Sequence, residues 1–303
     1  MVNTLENVKP RVSANRPSRG YRVFQGVNGF VLTLVVVVTL YPFVTIIARS
    51  FSGERQIRAG EVTLWPKGFN LTTYRIVFGD GTFWRSYGNT VLYTVVSTVV
   101  AMTLTTMFAY VLSKKDLRGR GALIGIAVFT MFFSGGLIPN YVLVTSLGLK
   151  NSVWAIALPN AISVFNLLVM KAFFENLPGE LEEAAQIDGL STYGILWRIV
   201  LPLSKAVIAT MVLFYTVSFW NSWFSAFLYM DRTELMPATV YLRNLIAGAT
   251  TGSNAGAGTD QLSQAAANIQ SVTIVLTALP ILAVYPFVQR YFVSGVMLGA
   301  VKG

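Results

Sequence analysis

Residues 24–48 read FQGVNGFVLTLVVVVTLYPFVTIIA, without one Asp, Glu, Lys or Arg. A helix of that length, at 1.5 Å per residue, exceeds the roughly 30 Å hydrocarbon core of a bilayer. A basic segment precedes it, with Lys9, Arg11, Arg16, Arg19 and Arg22. That order also describes a secretory signal peptide, but the apolar region of a signal is only about 7–15 residues long. The stretch is therefore read as a retained first membrane span.

Five more apolar runs follow, at residues 87–113, 121 to about 138, 152–170, 206–230 and 271–288. The third is interrupted by Ser134-Gly135-Gly136 and Pro139. None holds an Asp, Glu, Lys or Arg in its interior. Composition agrees: 12% of residues are charged and 54% hydrophobic, with a mean hydropathy of +0.59. A soluble domain carries about 25% charged residues, and only a lipid-facing surface can dispense with half of them. The fold class that follows is an all-α integral membrane protein with about six transmembrane helices.

Charge sets the orientation. With six spans both termini share one side with the loop Lys114-Lys115-Asp116-Leu117-Arg118-Gly119-Arg120 and with residues 171–205. That side collects most of the Lys and Arg, so it is assigned to the cytoplasm. Residues 49–85, which this topology places outside, also carry basic residues, partly offset by Glu54, Glu61 and Asp80. The net charge of +10 does not point to nucleic acid, because the basic residues lie between apolar runs rather than on one wet face.

The absences narrow function further. The chain has no Cys and no His, which excludes zinc sites built on thiolate or imidazole and His-based nucleophilic catalysis. Ion-coupled carriers commonly use charged residues within their spans, and these spans have none. No G-x-x-x-x-G-K-[ST] sequence occurs, so uphill transport would need an ATPase on another polypeptide. The remaining class without an ATPase is a membrane scaffold or channel. Polar residues within the spans, among them Asn166, Trp220, Asn221 and Trp223, are candidates for a substrate path, or for interfacial anchors and helix–helix glue.

Residues 178–202, PGELEEAAQIDGLSTYGILWRIVLP, carry charges that forbid membrane burial. They read as two short helices. Residues 180–187 are strong helix formers with acids in the first turn, and Gly189 can end that helix in a left-handed conformation. Ser191 or Thr192 can cap a second helix over residues 193–200. A helical elbow with an acidic patch and exposed Ile, Leu and Trp suits docking of another protein.

The run Glu183-Ala184-Ala185-x-x-Asp188-Gly189, followed by Ile199-x-Leu201-Pro202-Leu203, resembles the EAA loop of binding-protein-dependent ABC importer permeases. The likeness extends from about Phe24 to the terminus. It is nearest to the maltose-importer-like, carbohydrate-uptake permeases. Phe133-Ser134-Gly135-Gly136-Leu137-Ile138-Pro139 and the ending Gly295-Val296-Met297-Leu298-Gly299-Ala300-Val301-Lys302-Gly303 resemble the subset that carries complex oligosaccharides or polysaccharides. Two residues depart from the pattern. Leu190 stands where Ala is usual, and Ala206 stands where a Pro commonly closes the motif, which predicts a less kinked approach to span five.

The resemblance implies a type I ABC importer permease fold: a cytoplasmic tail (1–23), a six-helix permease domain (24–293) with its coupling loop at about 172–205, and a second cytoplasmic tail (294–303). It implies a non-enzymatic transport subunit in the bacterial cytoplasmic membrane. The expected partners are an ABC ATPase dimer that binds the ATP and Mg2+, a second homologous permease forming a heterodimer, an extracytoplasmic binding protein, membrane lipid and a carbohydrate. This chain itself needs no cofactor or metal. Glu182, Glu183, Ala184, Ala185, Ile187, Asp188, Gly189 and Pro202 are the implied ATPase-coupling residues. The tail Val301-Lys302-Gly303 is expected near the ATPase, and the outer loop at residues 231–270, with its Gly- and Ala-rich part at 247–267, is expected to meet the binding protein.

Overall fold

The computed structural model describes residues 19–255 and 268–283, and among these every regular element is helical. Helix α1 (Arg19–Ser50) includes Pro42 and begins inside the expected cytoplasmic tail. Two short helices follow, α2 (Glu54–Arg58) and α3 (Thr72–Gly79), before the long α4 (Gly81–Ser113). Helices α1 and α4, of 32 and 33 residues, are each long and apolar enough to cross a bilayer unbroken.

The third, fourth and fifth apolar runs are divided. Helices α5 (Arg120–Phe132) and α6 (Leu137–Ser146) meet at 113° across Phe133-Ser134-Gly135-Gly136. Gly136 has φ +86°, where a side chain would be strained, and Pro139 is accommodated in the first turn of α6. The fourth run is not one helix. It forms α7 (Trp154–Ala157) and α8 (Val164–Glu175), separated around Pro159, and Ser163 caps α8 by accepting from the Asn166 N–H at 3.4 Å.

Beyond α9 (Gly179–Ile187), the second helix of the elbow is longer than residues 193–200. It comprises α10 (Thr192–Ile195), a π-helical turn (Leu196–Val200) and α11 (Leu201–Leu203). At the buried Ser204 the chain then turns by 86° into α12 (Lys205–Trp220). The less kinked approach expected from Ala206 is therefore not found; the bend falls two residues earlier. The fifth run also breaks, at Asn221 and Ser222, before α13 (Trp223–Tyr229). Their side chains donate to the Val217 and Phe219 carbonyls, competing with the helical ladder. Helix α14 (Ala238–Ala255) runs into the Gly- and Ala-rich segment, and α15 (Asn268–Ala283) covers the described part of the sixth run.

Helix α4 is the central element, packed against α8, α12, α7 and α14. The middle of its buried face is made largely of small residues, Thr90, Thr94, Ser97, Thr98, Ala101, Thr105 and Ala109, with larger Phe83, Tyr93, Tyr110 and Leu112 among them and toward the ends. In lipid the hydrophobic effect does not drive helices together, so close backbone approach over such small residues supplies the packing. Helix α1 differs. Apart from its end, near Ala48 and Ser50, its circumference is unburied.

Candidate functional site

The elbow is held from beneath. Ala185, Ile195, Leu196 and Val200 are buried against Tyr110 and Leu112 of α4, Leu167, Met170 and Phe174 of α8, and Val207 and Met211 of α12. Its turn is a Schellman motif: Leu190 N–H donates to the Ala185 carbonyl and Gly189 N–H to that of Gln186, each at 3.0 Å. Gly189 has φ +79°, as this motif requires. The side chain of Leu190 packs onto the core, the apolar contact that accompanies such a turn, and an Ala there would reach less far. Of the two capping candidates it is Ser191 that accepts, from the Gly194 N–H at 3.3 Å.

Salt bridges fix the acidic side of the elbow to the basic loop between α4 and α5. Lys114 pairs with Glu182 and lies 4.2 Å from the Tyr110 ring centroid. Arg120 pairs with Glu175, which also receives Lys171 at 2.9 Å, while Arg120 Nε donates to the Leu112 carbonyl. The residues singled out from sequence thus separate. Glu182 is engaged within the chain, Ala185 is core, and Pro202 sits in α11. Glu183, Ala184, Asp188 and Gly189 face outward, and Ile187 is 87% exposed. Tyr193 and Trp197, 69% and 68% exposed, extend the apolar outer surface of the elbow. Val301, Lys302 and Gly303 lie outside the described residues.

At the opposite end, α4 straps down the segment leading to α14. The Asn89 amide donates to the Glu234 and Met236 carbonyls, and the Tyr93 hydroxyl donates to that of Leu235. Thr90 Oγ1 accepts from the Ala238 N–H at 2.8 Å. Asp80 caps α4 by accepting from the Thr82 N–H, and its other oxygen accepts from the Tyr241 hydroxyl at 2.5 Å. The Tyr241 hydrogen bond holds the Asp80 carboxyl below the ordinary carboxylate range, and burial pushes the Tyr241 phenol up. Nearby, Asn151 at φ 57° accepts from the Asp231 N–H at 2.7 Å, and Lys150 pairs with Asp231 at 2.9 Å.

The four path candidates do not form one cluster of like character. Asn166 is buried at the start of α8. Trp220 is buried and donates from its indole to the Thr277 carbonyl of α15 at 3.1 Å. Asn221 bonds back to its own helix. Trp223 is exposed and carries Arg243 over its ring at 4.6 Å. Sequence reasoning missed Tyr215. Its hydroxyl accepts from the Ser163 N–H at 2.9 Å and lies 2.7 Å from Thr105 Oγ1, closing the gap between α7 and α8. It also missed the strap residues. Of these Asp80 alone gave a local signal, a capping residue just ahead of an apolar run.

Comparison with known proteins places the chain. The profile described as "Binding-protein-dependent transport system inner membrane component" matches residues 121–298. The chain is 44% identical over 282 residues to Protein LplC of Bacillus subtilis, covering 93% of this chain and 96% of that protein. It is 42% identical over 281 residues to the polygalacturonan/rhamnogalacturonan transport system permease protein YtcP of the same organism, covering 91% and 97%. Among solved structures, a chain of a bacterial ABC transporter involved in the import of the acidic polysaccharide alginate superimposes with a TM-score of 0.81 at 33% identity. That match covers 91% of this chain and 99% of that one. The profile spans more than half the chain and includes the whole elbow: the protein belongs to the family of binding-protein-dependent transport system inner membrane components.

Proposed function

We propose that the chain is one membrane-spanning permease subunit of an ATP-driven importer that carries an oligo- or polysaccharide with acidic sugar units. The observation that carries this reading is the elbow: a rigidly supported turn whose outer surface is apolar and exposed at Ile187, Tyr193 and Trp197, with Glu183 beside it. Such a surface, on the charge-assigned cytoplasmic side, fits a cleft in a separate ATPase dimer, where ATP and Mg2+ are bound. ATP-driven closure of that dimer would move the elbow and switch the spans between inward- and outward-facing states. The acidic cargo is supported by the names of two relatives, one a polygalacturonan/rhamnogalacturonan permease and one an alginate importer chain.

The unburied circumference of α1 supports a second, homologous permease beside this one in the bacterial cytoplasmic membrane, with lipid on the remaining faces. The strapped outer segment supports contact with an extracytoplasmic binding protein that delivers the sugar. The chain works without a cofactor of its own. The test is Glu183→Lys in the complete importer. The variant inserts and assembles with the ATPase, yet hydrolysis no longer drives uptake; full uptake by this variant would remove the coupling assignment.

A further inference from the structure

Arg243 stands exposed on α14, with its guanidinium carbon 4.6 Å from the centre of the Trp223 ring and 4.8 Å from that of Phe227. Trp223 and Phe227 are one turn apart on α13, immediately after the break at Asn221 and Ser222. They are 38% and 50% exposed, and Phe224 between them is exposed as well. Among the described residues Arg243 has no carboxylate within ion-pair reach and no hydrogen-bond acceptor. The contrast with Lys150 on the same side is direct, because Lys150 is already neutralised by Asp231.

Stacking a guanidinium on a ring uses its flat face and none of its five N–H donors, so the edge that binds carboxylate in bidentate fashion stays free. Ring contacts also restrict the side chain in advance, so less conformational freedom is lost when a ligand arrives. A carboxylate on a protein would need only the charge. A sugar acid uses both parts of the cluster, the carboxylate on the guanidinium and the C–H face of the ring on an exposed aromatic.

We propose that Arg243, laid across Trp223 and Phe227, binds the carboxylate of an acidic sugar unit at the outer mouth of the permease. The proposal rests on the reading of the chain as a permease for acidic saccharides and adds a residue that recognises the charge.

The experiment uses the complete importer in proteoliposomes, with trigalacturonate and trimannuronate as probes. Arg243→Gln, which keeps a flat polar side chain without charge, is compared with Arg243→Lys and the unmodified protein. Uptake of the imported uronate falls about tenfold in Arg243→Gln, the loss expected for one charged hydrogen-bonded contact, and less in Arg243→Lys. ATP hydrolysis stimulated by the loaded binding protein stays unchanged. Unchanged uptake in Arg243→Gln overturns the proposal while leaving the permease reading intact. Equal losses of uptake and of stimulated hydrolysis also overturn it, assigning Arg243 to docking of the binding protein. If the unmodified importer takes up neither uronate, the acidic-cargo reading and the proposal fall together.

Discussion

Lys114 reaches across 68 positions of sequence to Glu182, and so ties the loop after α4 to the first helix of the elbow. The pair is partly buried and Lys114 also covers the Tyr110 ring, so it is better placed than an open surface pair. With Arg120 and Lys171 on Glu175, it joins the adjoining ends of α4, α8 and α9 in one charged clamp.

Reversing one member, as in Lys114→Glu, sets two carboxylates against each other and loosens the elbow. The double variant Lys114→Glu with Glu182→Lys restores the attraction. A double-mutant cycle on thermal unfolding in detergent should give a coupling energy of about 1 kcal/mol. A coupling energy near zero would show that the pair does not hold the elbow.

Gly189 has open space around its Cα, so any penalty for substitution there comes from the backbone rather than from a clash. An L-residue in the left-handed region costs about 1–2 kcal/mol, more if β-branched and less for Asn. Gly189→Val should therefore reduce co-purification of the ATPase several-fold, and Gly189→Asn should reduce it far less. Equal behaviour of the two variants would mean that φ at this turn is irrelevant to docking.

Tyr215→Phe removes the hydroxyl that serves both Ser163 and Thr105. The Ser163 N–H then loses its partner in a partly buried site, at a cost of about 1–3 kcal/mol. The expected outcome is a lower unfolding temperature together with faster hydrogen exchange at residues 158–163, while residues 180–187 are unaffected.

The strap between α4 and α14 is expected to respond to acid. Because the folded pKa of Asp80 is depressed, chiefly by the Tyr241 hydrogen bond, its contribution to stability is fully present above the ordinary carboxylate pKa of about 3.9. It is lost as the pH falls through the lower folded value. Hydrogen exchange over residues 238–247 should rise across that window, and Asp80→Asn should abolish the pH dependence while keeping an acceptor for Tyr241. An unchanged profile in Asp80→Asn would assign the effect to another group.

Much of the bundle was legible because lipid imposes length. Helices α1 and α4 fall where uninterrupted apolar runs predicted them, and the grammar of Gly189 and Ser191 is local enough to read from neighbours. The breaks at Pro159 and at Asn221-Ser222 were not read, because hydropathy averages over a window and one donor-less or back-bonding residue scarcely changes the mean. The ties from Asn89, Thr90 and Tyr93 to residues 234–238 join positions far apart, and no periodicity encodes them. Within the elbow, residue type could not separate Glu182, turned inward to Lys114, from Glu183, turned outward.

The 86° bend at Ser204 gives the elbow a mechanical character. The segment Thr192–Leu203 stands almost square to α12, like the arm of a crank on its shaft. A force applied sideways to such an arm would act on α12 more as a torque than as a push along its axis. Because Ile195, Leu196 and Val200 on that arm pack in one cluster with Val207 and Met211 of α12 and with α4 and α8, a push on the arm would reach Tyr215 as a turning moment shared by all three helices.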